Sequence, residues 1–368
     1  MSERVGNSFF NRGRCRRRRG LLIAKWGGCI VFSWLLGVLG GLRPLLGVEP
    51  GAVQGGTMVI VTGAEGNPEY GAVLAGWSNQ WRQLAAAAGV RCVEVGPPRP
   101  AGEGGDLAKL KQLLNSASGG AGGEEGEGLG ANGAEPLWIV LLGHGTSDGR
   151  TPRFNLRGKD LQAAVLAEWL KDVQRPVVVV AGFSSAGAFL KPLSSPERVI
   201  VTATKSGGES NFARFGGVLP EVLLDPKADL DKDGQTTLLE GWIVASQRVE
   251  AFYEGQGRIA TEHSLLEDNA DGLGTPASWY AGLELRQVAK EQRQADGIRA
   301  NQMCLVPSPE ERAMPPQLRA RRDALERELS ELKGRKTSLG EQEYAVLLEE
   351  ILLKIGRIYR EADEGRVP

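Results

Sequence analysis

The sequence predicts an α/β protein: a mostly parallel sheet with helices on both faces, followed by a C-terminal helical hairpin. Three observations carry this. The runs Leu137–Leu142 and Val177–Ala181 are apolar without polar alternation, as in strands covered on both sides. Helical patterns separate the apolar runs at the spacing of strand–helix–strand units. From Arg286 onward the composition turns to Arg, Glu, Gln and Leu, with leucines at heptad-like spacing.

The elements follow in order. Met58–Thr62 reads as a buried strand, and Glu69–Gly89 as a helix with Trp77, Trp81 and Leu84 on one face. Arg91–Val95 is a short strand. Asp106–Leu114 is an amphipathic helix carrying Leu107, Leu110, Leu113 and Leu114. Residues 119–133 form a Gly/Glu insert with no apolar run to bury, expected to be flexible and exposed. Leu161–Val173 reads as a helix, Ser185–Leu190 as a helix start, and Val199–Ala203 as a strand. Phe212–Leu224 and Thr237–Tyr253 read as helices, completing an α/β domain over 57–285. Pro307, Pro309, Pro315 and Pro316 mark 286–316 as a linker. In 317–360, Leu318, Leu325, Leu329 and Leu332 face Tyr344, Leu348, Ile351, Leu352, Ile355 and Tyr359 across a turn at Lys333–Gly340. This hairpin packs on itself or on the main domain, or serves self-association.

The chain has 368 residues, 41% hydrophobic and 24% charged, enough for a sizeable core. Lys+Arg 44 against Asp+Glu 45 gives no basic excess to argue for nucleic acid. The balance conceals a basic tip at 1–25, with Arg4, Arg12, Arg14, Arg16 to Arg19 and Lys25 against Glu3. An uncharged stretch, Trp26–Leu42, follows it, so 26–46 is expected to be a signal-anchor or a signal peptide. Residues 47–56 are a linker. On this reading the main domain lies outside the cytoplasm, membrane-anchored or secreted. Beyond that segment only Cys92 and Cys304 remain, too few for a disulfide framework.

The most specific local signal is Asp229–Glu240, which fits D-x-D-x-D-G-x5-E. Asp229, Asp231 and Asp233 are oxygen ligands at positions one, three and five. Gly234 permits the sharp turn, Gln235 offers its carbonyl, Thr237 the ninth position, and Glu240 closes the shell. The expected cofactor is Ca2+, in a stabilising rather than a switching site. The plainer reading is an acidic loop before a helix capped by Thr236 or Thr237. A second loop, Glu267-Asp268-Asn269-Ala270-Asp271-Gly272, has Ser278 at its twelfth position. It reads as an Asx-rich turn, with a second calcium site as the alternative.

The chain has two histidines. His144, in Gly143-His144-Gly145-Thr146, follows the strand LWIVLL; Ser184, in Phe183-Ser184-Ser185-Ala186-Gly187, follows VVVVA. If those strands are neighbours, both residues emerge at the carboxyl edge of the sheet, where α/β proteins bind ligands. His263, in Thr261-Glu262-His263, is expected to be structural. There is no G-x-x-x-x-G-K-[ST] and no G-x-G-x-x-G after a strand.

A buried strand ending in His-Gly, then one ending in a nucleophile with Gly soon after, resembles the legumain/caspase superfamily of cysteine peptidases. The resemblance covers about residues 57–285, including VIVTA and the loop Thr204-Lys205-Ser206-Gly207. It implies a caspase/legumain-like fold and a catalytic His at His144. It also places Ser184 where the family has its nucleophilic Cys. Serine needs a well-oriented base that a loose His–Cys dyad does not supply. The expectation is therefore a degenerate peptidase domain that binds a peptide or protein. The alternative is an active endopeptidase using His144 and Ser184.

Overall fold

The computed structural model describes residues 56–100, 104–117, 129, 135–287, 296–336 and 338–365. All of them belong to one compact unit, Pro50–Pro368. The basic tip, the apolar stretch 26–46 and residues 47–55 lie outside the described residues. Among the described residues, no helix is long and apolar enough to cross a membrane.

The first half runs β1 (Thr57–Thr62), α1 (Pro68–Ala87), β2 (Arg91–Val95), α2 (Gly105–Ala117) and β3 (Leu137–Gly143). Three short strands follow, β4 (Gly145–Ser147), β5 (Pro152–Phe154) and β6 (Leu161–Gln162), before α3 (Ala163–Trp169). Then come β7 (Val177–Phe183), α4 (Gly187–Leu193), β8 (Arg198–Thr202), α5 (Phe215–Leu223) and α6 (Leu238–Gly255). Four more short strands are β9 (Leu265–Glu267), β10 (Thr275–Pro276), β11 (Tyr280–Ala281) and β12 (Glu284–Leu285). The chain closes with α7 (Ile298–Gln302), α8 (Pro309–Ala313), α9 (Pro316–Gly334) and α10 (Glu341–Glu364).

The main sheet has seven strands in the order β10-β9-β8-β7-β3-β1-β2. The five from β8 to β2 are parallel; β9 and β10 add an antiparallel edge. Alternate side chains of the parallel strands enter two separate cores. Met58, Ile60, Val140 and Val180 pack with Trp81 of α1, Leu219 of α5 and Trp242 of α6. Val59, Val61, Ile139 and Val179 pack on the other face with Leu110 of α2, Leu166 of α3 and Phe189 of α4. The sheet is thus buried on both faces by helices, as its unalternating runs require.

Three expectations are corrected. Leu129, within the Gly/Glu insert expected to be exposed, is buried, with its N–H on Ser116 Oγ and its carbonyl near Arg175. The other residues of 119–133 lie outside the described residues. The stretch 296–316, read as linker, is packed onto the domain. Ala300, Leu305 and Met314 are buried, and Leu238 N–H donates to Met303 O. Scattered single apolar residues among prolines and charges hide such a segment from any periodicity argument. In the hairpin, Ile358 and Ala362 pack with Leu318 and Leu325, and Ile351 and Leu332 are buried, whereas Leu352 and Tyr359 are exposed. The hairpin also leans on the main domain, where Gln302 contacts Glu326 and Arg327.

Candidate functional site

The chain adds β2 on one side of β1 and then returns to place β3 on the other, so strand order reverses between β1 and β3. Ligand crevices of open α/β sheets lie beyond the carboxyl ends at such a reversal. β3 and β7 are neighbours, paired in register through Gly143 and Phe183. His144 and Ser184 are the next residues of each strand and therefore leave the sheet side by side.

Their side chains do different things. The half-buried His144 ring stands edge-on to Tyr70, with centroids 5.2 Å apart, and lies 5.3 Å from Phe212. Phe212 in turn stacks on Tyr70 and Trp77, giving an aromatic wall between α1 and the approach to α5. Burial lowers the His144 pKa and favours the neutral imidazole. Ser184 is 1% exposed. Its Oγ accepts from Gly145 N–H at 3.2 Å and donates to Gly145 O at 3.4 Å. Both of its hydrogen-bonding roles thus go to the backbone of the residue after His144. Among the described residues, no hydrogen bond joins the His144 and Ser184 side chains.

Further residues shape this edge. Ser185 has φ +63°, and its Oγ is buried without a partner. Its N–H donates to Glu209 O at 2.8 Å. The Glu209 carboxylate accepts from Lys205 N–H and His263 N–H and pairs with His263 Nδ1. His263 is therefore a surface partner of Glu209. Glu262 is buried and accepts from Arg214 N–H, Phe215 N–H and Tyr253 Oη–H, fixing the start of α5. Burial raises its pKa, and the backbone N–H bonds pull it back. Nothing local distinguishes Glu262 in sequence, because Arg214 lies 48 positions away.

Neither cysteine beyond residue 55 is at this edge. Cys92 is on β2, and Cys304 bonds weakly to Thr236 O in the packed 296–316 stretch. Burial pushes the Cys92 thiol up to about 11 and the Cys304 thiol to about 12. Alkylation of the native chain by iodoacetamide at pH 8, read by peptide mass spectrometry, should be roughly a hundredfold or more slower at each than at a free thiol, and slowest at Cys304. Labelling at the free-thiol rate at either position would contradict this account.

The loop before α6 draws Asp229, Asp231 and Asp233 together. Their carboxylate oxygens lie within 4.8 Å of one another. Asp229 is held by Lys232 N–H at 2.6 Å and Gly234 N–H at 3.1 Å; Asp231 accepts from Asp233 N–H and Asp233 from Gln235 N–H. Gly234, at φ +90°, makes the turn possible. Burial and the charges of Asp233, Glu240 and Asp229 raise the Asp231 pKa. Crowded like charges of this kind favour a bound cation, so the donor set fits Ca2+. Thr237 caps α6 and forms a capping box with Glu240. The fully buried Glu240 accepts from Leu230 N–H at 2.6 Å, Thr237 N–H at 2.8 Å and Thr237 Oγ1 at 2.9 Å. Gln235 uses its side-chain oxygen to hold Ser308 N–H.

No protein-family model matches the chain, and no curated protein matches it. Similar solved structures include the Drosophila initiator caspase Dronc, 13% identical with a TM-score of 0.38, covering 61% of this chain and 83% of that one. Caspase-1 from Spodoptera frugiperda is 8% identical with a TM-score of 0.36, covering 59% of this chain and 87% of that one. Superpositions this loose bear no weight, and the fold described above rests on strand order and layers alone.

Proposed function

We propose that this chain is a calcium-binding, legumain/caspase-like domain whose peptidase edge is degenerate and binds a peptide or protein without cleaving it. The observation that carries the non-hydrolytic reading is Ser184. Its hydroxyl is 1% exposed and hydrogen-bonded in both directions to Gly145. A serine nucleophile needs its proton on a base and its oxygen open to substrate. Here the proton is directed at a backbone carbonyl, and His144 turns toward Tyr70 and Phe212. The aromatic wall and the partly exposed Tyr70 supply apolar contact area for a bound chain.

Calcium stabilises the loop 229–240; Asp229, Asp231, Asp233, Gln235, Thr237 and Glu240 are its proposed ligands. The basic tip and the apolar stretch support a domain outside the cytoplasm, anchored in the membrane or secreted. The hairpin offers Val346, Leu352 and Leu353 for self-association. Nucleic acid is not a partner on this reading.

The second reading, an endopeptidase using His144 and Ser184, is favoured by the β3–β7 register that sets the two residues side by side. One assay separates the two. The full chain, incubated with a mixed peptide library with and without Ca2+, should give no cleavage that disappears in Ser184→Ala. Robust cleavage abolished by that substitution would overturn the degenerate reading and establish the second.

A further inference from the structure

The loop after β9 repeats the backbone of the loop before α6. The fourth residues, Lys232 and Ala270, have φ +63° and +66°; the sixth, Gly234 and Gly272, have +90° and +73°. In both, the sixth N–H donates to the first carboxylate, the fifth to the third side chain and the seventh to the fifth. By itself that repetition is turn geometry.

Glu267 adds an independent fact. Its side chain is fully buried. Oε1 accepts from Gly272 N–H at 3.4 Å and Ser194 Oγ at 2.9 Å, which sets the carboxylate inside the loop. Oε2 is shut from solvent and has no hydrogen-bond partner. A buried, unpartnered carboxylate oxygen is costly, and native proteins satisfy such groups with a proton donor, water or a cation. The same loop carries further oxygen acceptors, Asn269 Oδ1 and the Asp271 carboxylate, and the Asn269 amide donates to Asp271 rather than to Glu267.

We propose that residues 267–273 form a second hard-cation site, taking Ca2+ through Glu267, Asn269, Asp271 and the seventh-position carbonyl of Leu273. Asp268 is not a ligand: its carboxylate accepts from Gly297 N–H and Ala300 N–H at the start of α7. The site has two carboxylates where the first loop has four, and Ser278 stands where the first loop has Glu240. Its affinity is therefore weaker, by roughly tenfold or more. Its cation ties β9 to the end of α4 through Ser194.

The test is the number of Ca2+ ions bound per full-length chain, measured by equilibrium dialysis at rising Ca2+. The wild type should take two, Asp271→Ala one, Asp231→Ala one and the double variant none. Residue 271 is exposed, so the fold tolerates loss of its side chain. Glu267→Gln, close in shape, should lose the same ion as Asp271→Ala. A wild-type ion count in Asp271→Ala overturns the second site. So does loss of every ion in Asp231→Ala, in which case the first loop stands alone. An unchanged count in Asp231→Ala instead removes the first loop's assignment and leaves the second to be judged on Asp271→Ala.

Discussion

Gly187→Ala is expected to lower the thermal unfolding midpoint by roughly 6–12 °C, corresponding to a cost of about 3 kcal/mol. Gly187 opens α4 just after the β7 turn, where the loop following β8 crosses it. A Cβ there falls 2.3 Å from Lys205 C and Ser206 N and 2.6 Å from Thr204 O. Those are backbone atoms, so no rotamer change relieves the contact; one of the two chains has to move. Gly187 N–H also donates to Thr204 Oγ1 at 3.0 Å, a bond that the displacement breaks. Gly255→Ala is the matched control. It ends α6, and its Cβ meets nothing within 4 Å, so that variant should equal or exceed the wild type. A Gly187→Ala midpoint within a degree of wild type would mean that the two loops do not cross this closely.

Glu240→Ala is expected to cost about 3–4 kcal/mol even in chelator. It removes the acceptor for Leu230 N–H, Thr237 N–H and Thr237 Oγ1, and leaves buried donors at both ends of the loop unmatched. Ca2+ should raise the wild-type midpoint and leave that of Glu240→Ala nearly unchanged, because the proposed closing ligand is gone. Thermal scans in Ca2+ and in chelator separate the two roles. An unchanged midpoint in chelator would refute the capping role. An equal Ca2+ shift in both proteins would refute Glu240 as a ligand.

The parallel strands were legible because they are buried on both faces, and a run such as LWIVLL or VVVVA has few other uses. The clustering of Asp229, Asp231 and Asp233 was legible because the three lie within five residues of sequence. The antiparallel edge was not: β9 and β10 are three and two residues long, too short for any period. The same holds for 296–316, where burial falls on isolated residues such as Ala300 and Leu305. At the candidate edge, the adjacency of His144 and Ser184 was foreseeable from two strand ends. The direction of their side chains was not, since it depends on Phe212 and Gly145, which reach them only through tertiary packing. Ser185 and Glu262 likewise owe their surroundings to Glu209 and Arg214, far off in the chain.

The bonds between Ser184 and Gly145 have a further meaning for the sheet. β3 and β7 pair as far as Gly143 and Phe183, and beyond them Gly145 still lies against Ser184. With one donor and one acceptor on the same atom, the Ser184 hydroxyl imitates a peptide group and sews one more stitch into that seam. Sulfur is a poor substitute, being a weak donor and a weak acceptor on a longer bond. At this position a thiol would fasten the two strand ends less firmly than the hydroxyl present.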